Sequence, residues 1–185
     1  MQPLIIVVLV LLLAGGIGLI FLYNALVRSR QMANNAWSQI DVQLQRRHDL
    51  IPNLVETVKG YMKHEQETLD KVISARSIAI NAKTVPEKAQ AESMLGQAIT
   101  GLFGVVESYP ELKANGVMIE LQEELSTTEN KISYARLYYN NVTTRYNTML
   151  ETIPTAYMAG IGGFKPRELF EIEDPAVRLA PKIAF

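Results

Sequence analysis

An all-α chain is predicted: an N-terminal transmembrane helix that continues into an elongated antiparallel up-down helical bundle, followed by an irregular C-terminal segment. Three observations carry this reading. The first 27 residues hold no charged side chain. Apolar residues then recur at helical spacing over two long stretches, with a shorter one between them. Half of the eight prolines fall in the last 35 residues, where the periodicity stops.

After a short flank at residues 1–3, Leu4 to Leu22 reads LIIVVLVLLLAGGIGLIFL, without an acid, base or amide. As a helix this stretch is about 29 Å long, the hydrocarbon thickness of a bilayer, so residues 4–23 are assigned as a membrane span. A cleaved signal peptide would need a basic leader, a shorter apolar core and a small-x-small cleavage site. The flank is Met-Gln-Pro, and Tyr23-Asn24-Ala25-Leu26 follows the apolar run, so an uncleaved anchor is expected. No basic residue precedes the span, whereas Arg28 and Arg30 follow it directly and Arg46 and Arg47 come soon after. The positive-inside rule then predicts a single-pass protein of the cell (inner) membrane, with the N-terminus outside and the C-terminal domain cytoplasmic. A periplasmic domain is the alternative for a bacterial chain.

Residues 24–150 are assigned to the bundle. In its first helix, about 28–82, Trp37, Leu44, Ile51, Val58, Val72 and Ala79 recur in steps of seven, with Glu65 the exception. Val55, Met62 and Leu69 form a second line on the same face. Pro52 removes one helical hydrogen bond, yet the phase runs through it, which favours a kinked but continuous helix over the alternative of two helices joined by a turn. Tyr23 to Arg30 has neither glycine nor proline, so the span and this helix are expected to be one element of about 75 residues. At about 1.5 Å per residue its extramembrane part would reach roughly 80 Å.

The second helix, about 86–107, carries Ala91, Met94, Leu95, Ala98, Ile99, Leu102 and Val106. In the third, about 110–151, the line Met118, Leu121, Leu125, Thr128, Ile132, Ala135, Tyr139, Val142, Tyr146, Met149 and Ile153 alternates in steps of three and four. Such a seam predicts shallow, left-handed, coiled-coil-like packing. Thr84-Val-Pro-Glu87 and Ser108-Tyr-Pro-Glu111 both read as capping boxes with proline in the first turn, placing helix starts near 85 and 109. Asn115-Gly116 is a point where the third helix would fray. An up-down-up bundle follows.

Residues 151–185 contain Pro154, Pro166, Pro175 and Pro181 with Gly160, Gly162 and Gly163. They keep Tyr157, Met158, Ile161, Phe164, Leu169, Phe170, Ile172, Ile183 and Phe185, too many apolar residues for a solvated tail. An ordered wrap on the bundle, a neighbouring subunit or the membrane face is predicted.

The composition narrows the chemistry. No cysteine is present, which removes thiolate nucleophiles, Cys-ligated zinc and disulfides. The 18 basic and 19 acidic residues nearly cancel, with no basic run longer than two, so no nucleic-acid footprint appears. His48, beside Asp49, falls on the second apolar line and reads as a bundle-interior polar residue; a proton or metal site is the rival reading. His64 reads as exposed, and the two histidines lie too far apart for an i,i+4 metal pair. Glu120, Glu123, Glu124 and Glu129 read as a solvated face and lack the Glu-x-x-His spacing of a di-iron bundle. Gly96, Gly101 and Gly104 have no preceding strand and no Gly-Lys-Ser/Thr ending, so a phosphate loop is set aside in favour of close helix approach. Tyr134, Tyr138, Tyr139 and Tyr146 could form a stacking surface, but Tyr139 and Tyr146 lie on the seam and read as core. No catalytic, cofactor-binding or metal residue is assigned.

Several stretches together resemble the LemA family of bacterial single-span membrane proteins. They are Tyr23-Asn-Ala-Leu-Val27, the run from Trp37 to Val55 (WSQIDVQLQRRHDLIPNLV), Tyr109-Pro-Glu-Leu-Lys-Ala-Asn115, Leu121-Gln-Glu-Glu-Leu125 and Glu129-Asn-Lys-Ile132. Gly163-Phe-Lys-Pro166 and Pro181-Lys-Ile-Ala-Phe185 extend the likeness, which covers nearly everything after Phe21. The resemblance implies a helical bundle behind an N-terminal anchor, a cytoplasmic domain, and no established reaction or catalytic residue. The expected function is a membrane-anchored, non-enzymatic scaffold that self-assembles. An adaptor presenting its distal tip, near Lys83 and Gly104, to a membrane protease or sensor kinase is the alternative. An enzyme using His48 is a remote third. The expected partners are the bilayer, through residues 4–23, further copies of the chain and another membrane protein; no small-molecule substrate is implied.

Overall fold

The computed structural model describes residues 2–62 and 65–171. Every regular element among them is helical: α1 (Gln2–Lys59), α2 (Gln66–Asn81), α3 (Val85–Val106), α4 (Pro110–Lys113), α5 (Gly116–Glu151) and α6 (Thr155–Ile161). The expectations for His64, Ile172, Pro175, Pro181, Ile183 and Phe185 lie outside the described residues. The chain forms two compact units, Met1–Ile40 with Tyr134–Leu169, and Asp41–Ser133 with Phe170–Phe185. We call them the anchor unit and the bundle unit; α1 and α5 contribute residues to both.

In the anchor unit, α1 runs from the apolar span into the amphipathic stretch without interruption. It is the one described helix long and apolar enough to cross a membrane, and its side chains from Leu4 to Phe21 are exposed. Past the span, Leu26, Ala33, Ala36 and Ile40 become buried, a helical stripe whose small residues allow close approach of a neighbouring helix. Trp37 packs edge-on against Tyr139 of α5, with ring centroids 5.2 Å apart. After α6 the chain returns as an extended strap, held by backbone-directed hydrogen bonds. Tyr139 and Tyr146 donate to the carbonyls of Glu168 and Lys165 at 2.8 and 3.0 Å. Asn147 pairs twice with the Arg167 backbone, donating to its carbonyl and accepting from its N–H. Burial raises the pKa of both tyrosines above the ordinary phenol value. The described part of the C-terminal segment therefore wraps on α1 and α5 of its own chain.

The bundle unit corrects the expected helix count. The 28–82 helix is two helices, because α1 ends at Lys59 and the chain reverses before α2 starts at Gln66. Gly60 follows the last helical residue, and the N–H groups of Tyr61 and Met62 both return to the Val58 carbonyl. The expected 75-residue element is thus a 58-residue helix, and the roughly 80 Å reach does not hold. The residues on both sides of the turn, Val58 and Met62 before it and Leu69 and Val72 after it, enter the same core, which is why the apolar phase survived the reversal. Glu65, the one break in that phase, lies in the turn itself, where it accepts from the Tyr109 hydroxyl and raises the phenol pKa.

Pro52 does not end α1. A proline at this position leaves the carbonyl four residues earlier, that of His48, without its helical donor. Arg76 of α2 supplies the replacement: its Nε donates to the His48 carbonyl at 2.8 Å. Ala79 and Ile80, farther along α2, lie beside Leu44 and Gln45, earlier in α1, so the two helices run antiparallel.

α3 begins as predicted. Thr84 accepts from the Glu87 N–H, and the Glu87 carboxylate accepts from the N–H groups of Thr84 and Lys83, which lowers its pKa. The second expected box does not form. Ser108 caps nothing, and the helix started by Pro110 lasts one turn, α4. The true start of the long third helix is Gly116, where the Asn115 side chain accepts from the N–H groups of Val117 and Met118. Asn115-Gly116 is therefore the cap of α5 and not a frayed point inside it. The α5 seam is otherwise as predicted: Met118, Leu121, Leu125, Thr128, Ile132, Tyr139 and Tyr146 are buried, while Ile153 beyond the helix end is exposed. With α1 split, the bundle unit is an up-down-up-down arrangement of the distal part of α1, α2, α3 and the first part of α5. Its single core joins Ile51, Leu54, Val58, Val72, Leu95, Leu102 and Leu125.

Candidate functional site: a buried ion cluster in the bundle unit

Charged side chains interrupt the apolar core at one level. α1 places Arg47 and His48 one turn before Ile51, on the face that also carries Leu44, Leu54 and Val55. α3 places Glu92 on the line Leu95, Ile99, Leu102 and Val106, so this carboxylate sits where the pattern calls for an apolar residue. All three side chains are at most 7% exposed. The Glu92 carboxylate is shared, with Oε1 2.6 Å from His48 Nε2 and Oε2 3.5 Å from Arg47 Nη1. Arg47 Nη1 also reaches Glu129 of α5 at 2.9 Å, and Arg76 of α2 bonds the His48 carbonyl. α1 thus contributes two groups to the cluster, and α2, α3 and α5 one each.

Gly96 makes room for it. A Cβ there would lie 3.0 Å from Arg47 Nη2, closer than nearly all real Cβ contacts, so this glycine serves close approach of a side chain and not of a phosphate. Beside it a groove of about 660 Å³ is lined by Arg47, Ser93, Gln97, Thr100, Gln122 and Glu129. On the His48 side a smaller pocket of about 200 Å³ is bordered by Asp41, Gln45, Lys88 and Glu92, with Lys88 paired to Asp41 at 2.7 Å.

Chemically, the cluster holds two carboxylates, two guanidiniums and one imidazole. His48 Nε2 meets the Glu92 carboxylate, which fixes the orientation of the imidazole ring. Among the described residues no group of three or more His, Asp or Glu side chains is placed to hold a metal ion. What the geometry does is pin register. Unpaired charge in a core is penalised heavily, so the register in which Arg47 of α1, Glu92 of α3 and Glu129 of α5 meet is favoured.

Sequence reasoning located His48 on the core face but missed Glu92 as its partner. The signal was present, since Glu92 extends the three-four alternation of Leu95, Ile99, Leu102 and Val106 by one step. Met94, assigned to the core stripe, is exposed instead. Glu124 and Glu129, taken as a solvated face, are partly or well exposed but both pair with arginines of α1; Arg46 Nη2 meets the two Glu124 oxygens at 2.8 and 3.0 Å. Tyr139 and Tyr146 are buried, whereas Tyr134 and Tyr138 are exposed.

The chain is similar to proteins from several bacteria. It is 32% identical to the protein LemA of Metamycoplasma hominis over 141 residues, 74% of this chain and 63% of that one. It thus spans somewhat less than two thirds of that relative. It is 26% identical to the magnetosome protein MamQ 2 of Paramagnetospirillum magneticum over 184 residues, 85% of this chain and 67% of the relative. The magnetosome protein MamQ of Magnetospirillum gryphiswaldense is 25% identical over the same share. With one candidate span at its N-terminus, the chain is a membrane-associated all-helical protein. A sequence model of the LemA family matches residues 36–185, from the residue before Trp37 onward, and the chain belongs to the LemA family.

Proposed function

We propose that this protein is a membrane-anchored, non-enzymatic scaffold that self-assembles through its extramembrane helices, with the domain on the cytoplasmic side. The observation that carries the proposal is an uncovered face of α5. Tyr134, Leu137 and Tyr138 lie at i, i+3 and i+4, and are 74%, 60% and 45% exposed. Three large side chains on one helix face are costly to leave in water and are suited to a second copy of the same surface. The buried seam of α5 is satisfied within the chain, so assembly uses the opposite face and not the seam.

A second reading, an adaptor for another membrane protein, is favoured by a groove of about 520 Å³ between α2 and α3, lined by Ser77, Ile78, Asn81, Gln90 and Met94. The absence of cysteine makes the two readings separable. Single photo-crosslinkers at Leu137 and at Lys83, in membranes, should give mainly self-adducts through Leu137 if the scaffold reading is correct. Adducts to other proteins through Lys83, with none between copies, would replace it by the adaptor. An enzymatic role for His48 would require that His48→Gln abolish function while leaving the melting of the bundle unchanged.

A further inference from the structure

The end of the anchor unit beyond α5 presents apolar side chains that no described residue covers. Tyr157 and Ile161 of α6 are 70% and 82% exposed, and Ile153, in the turn just before it, is 72% exposed. Ala159 of the short helix α6 is buried. α6 thus packs through a small residue and turns its two large ones, four residues apart, outward. Its C-terminal end is fixed by a complete Schellman arrangement. The Phe164 N–H returns to the Ala159 carbonyl and the Gly163 N–H to the Gly160 carbonyl, with Gly163 at φ +66°. The outward face is therefore held in place by backbone bonds.

Its level along α1 follows from the packing. Trp37 faces Tyr139, and seven residues on, Arg30 lies near the Tyr146 hydroxyl, where its charge acts on the phenol. The next step of seven places Ile153 level with Tyr23, the residue that follows the apolar run Leu4–Leu22. Phe164, just after α6, confirms the level independently: its ring lies 5.6 Å from that of Tyr23 and 5.0 Å beneath the Arg30 guanidinium. The Gly162 position allows this closure, since a Cβ there would lie 2.6 Å from the Phe164 ring. α6 therefore sits at the depth where the span leaves the hydrocarbon.

The charges at this level match a lipid surface. No acidic residue occurs between Glu151 and Glu168, whereas Lys165 and Arg167 belong to the strap and Arg28 and Arg30 to α1. Tyrosine and aliphatic side chains flanked by lysine and arginine are the composition of the headgroup boundary.

We propose that α6 is a second membrane contact: an interfacial element whose Ile153, Tyr157 and Ile161 side chains enter the headgroup region of the bilayer that the span crosses. The span and α6 together would fix the orientation of the anchor unit, which a single helix leaves free to rotate and tilt. This rests on residues 4–22 spanning the membrane, and the test separates the two claims.

Single cysteines at Leu13, Ile161 and Glu123 of the full chain, each carrying a nitroxide, are reconstituted in vesicles of phosphatidylcholine with phosphatidylglycerol and diluted with unlabelled protein. Accessibility to oxygen against a water-soluble nickel complex reads the depth of each label. The expected order is Leu13 deepest, Ile161 at the headgroup boundary, and Glu123, exposed on the first part of α5, outside the lipid. Tyr157→Asp should move the Ile161 label toward water while leaving Leu13 unchanged. An Ile161 label as open to nickel as Glu123, with Leu13 buried, overturns the proposal and leaves the anchor intact. An Ile161 label shielded from both reagents and spin-coupled to its copy without dilution overturns it in favour of a second subunit. A water-exposed Leu13 overturns the span itself.

Discussion

Removing the Arg76 side-chain bond while keeping its aliphatic stem, as in Arg76→Met, tests how α1 passes through Pro52. The His48 carbonyl has no helical donor because residue 52 is proline, and Arg76 Nε is its partner at 2.8 Å. A hydrogen bond from a charged donor contributes about 1.5–3 kcal/mol, and Arg76 is half-buried, so the loss should be near the low end, about 2 kcal/mol. For a domain of this size that lowers Tm by roughly 6–10 °C. Pro52→Ala restores an N–H that can reach the His48 carbonyl, so Arg76→Met in that background should lower stability by no more than about 0.5 kcal/mol. The coupling, about 1.5 kcal/mol, is read from thermal melts of the four proteins followed by circular dichroism in detergent. Equal losses in the proline and alanine backgrounds would refute the reasoning.

Other outcomes follow from the same packing. Glu92→Ala leaves Arg47 with Glu129 alone and His48 Nε2 without its carboxylate, and should destabilise by about 3 kcal/mol in thermal melts, whereas Glu124→Ala, at an exposed pair, should lose at most about 1 kcal/mol. Thr84→Ala removes the hydroxyl half of the α3 capping box and should reduce stability by about 1 kcal/mol by denaturant titration, while Ser108→Ala should be silent. Raising pH should weaken the anchor unit. The folded pKa of Tyr139 and Tyr146 lies above the unfolded value near 10, so the unfolded chain loses protons first, and their contribution is intact below about pH 10 and lost as pH rises through the folded values. Melts between pH 8 and 11 should show this fall, with a smaller slope in the Tyr139→Phe, Tyr146→Phe double variant.

The helical class and the α5 seam were legible because both rest on apolar spacing, which burial enforces residue by residue. The helix boundaries were not legible to the same degree, because the same spacing continues across the turn after Lys59 when both flanking helices face one core. The local chemistry did mark the reversal, in Gly60 and in Glu65 on the apolar line, but a single polar residue is a weaker sign than an uninterrupted phase. At Ser108 and Asn115 two capping signals competed within one short stretch, and the Asn115 side chain won by accepting two N–H groups directly. The ion cluster was half visible. His48 stood out as a histidine on a core face, while Glu92 carried no sign of burial in its own chemistry, and only its three-dimensional partner distinguishes a buried carboxylate from a solvated one. The exposed face of α6 was masked by Pro154 before it and by Gly160, Gly162 and Gly163 at its end, which signal irregular backbone but not the depth at which it lies.

The most direct test of self-assembly is the mass of the detergent-extracted full chain by light scattering with the detergent contribution subtracted. The account predicts a protein mass that is a multiple of 20.7 kDa, reduced toward a single copy by Leu137→Asp without loss of helicity. A mass of one copy across the accessible concentration range would contradict it.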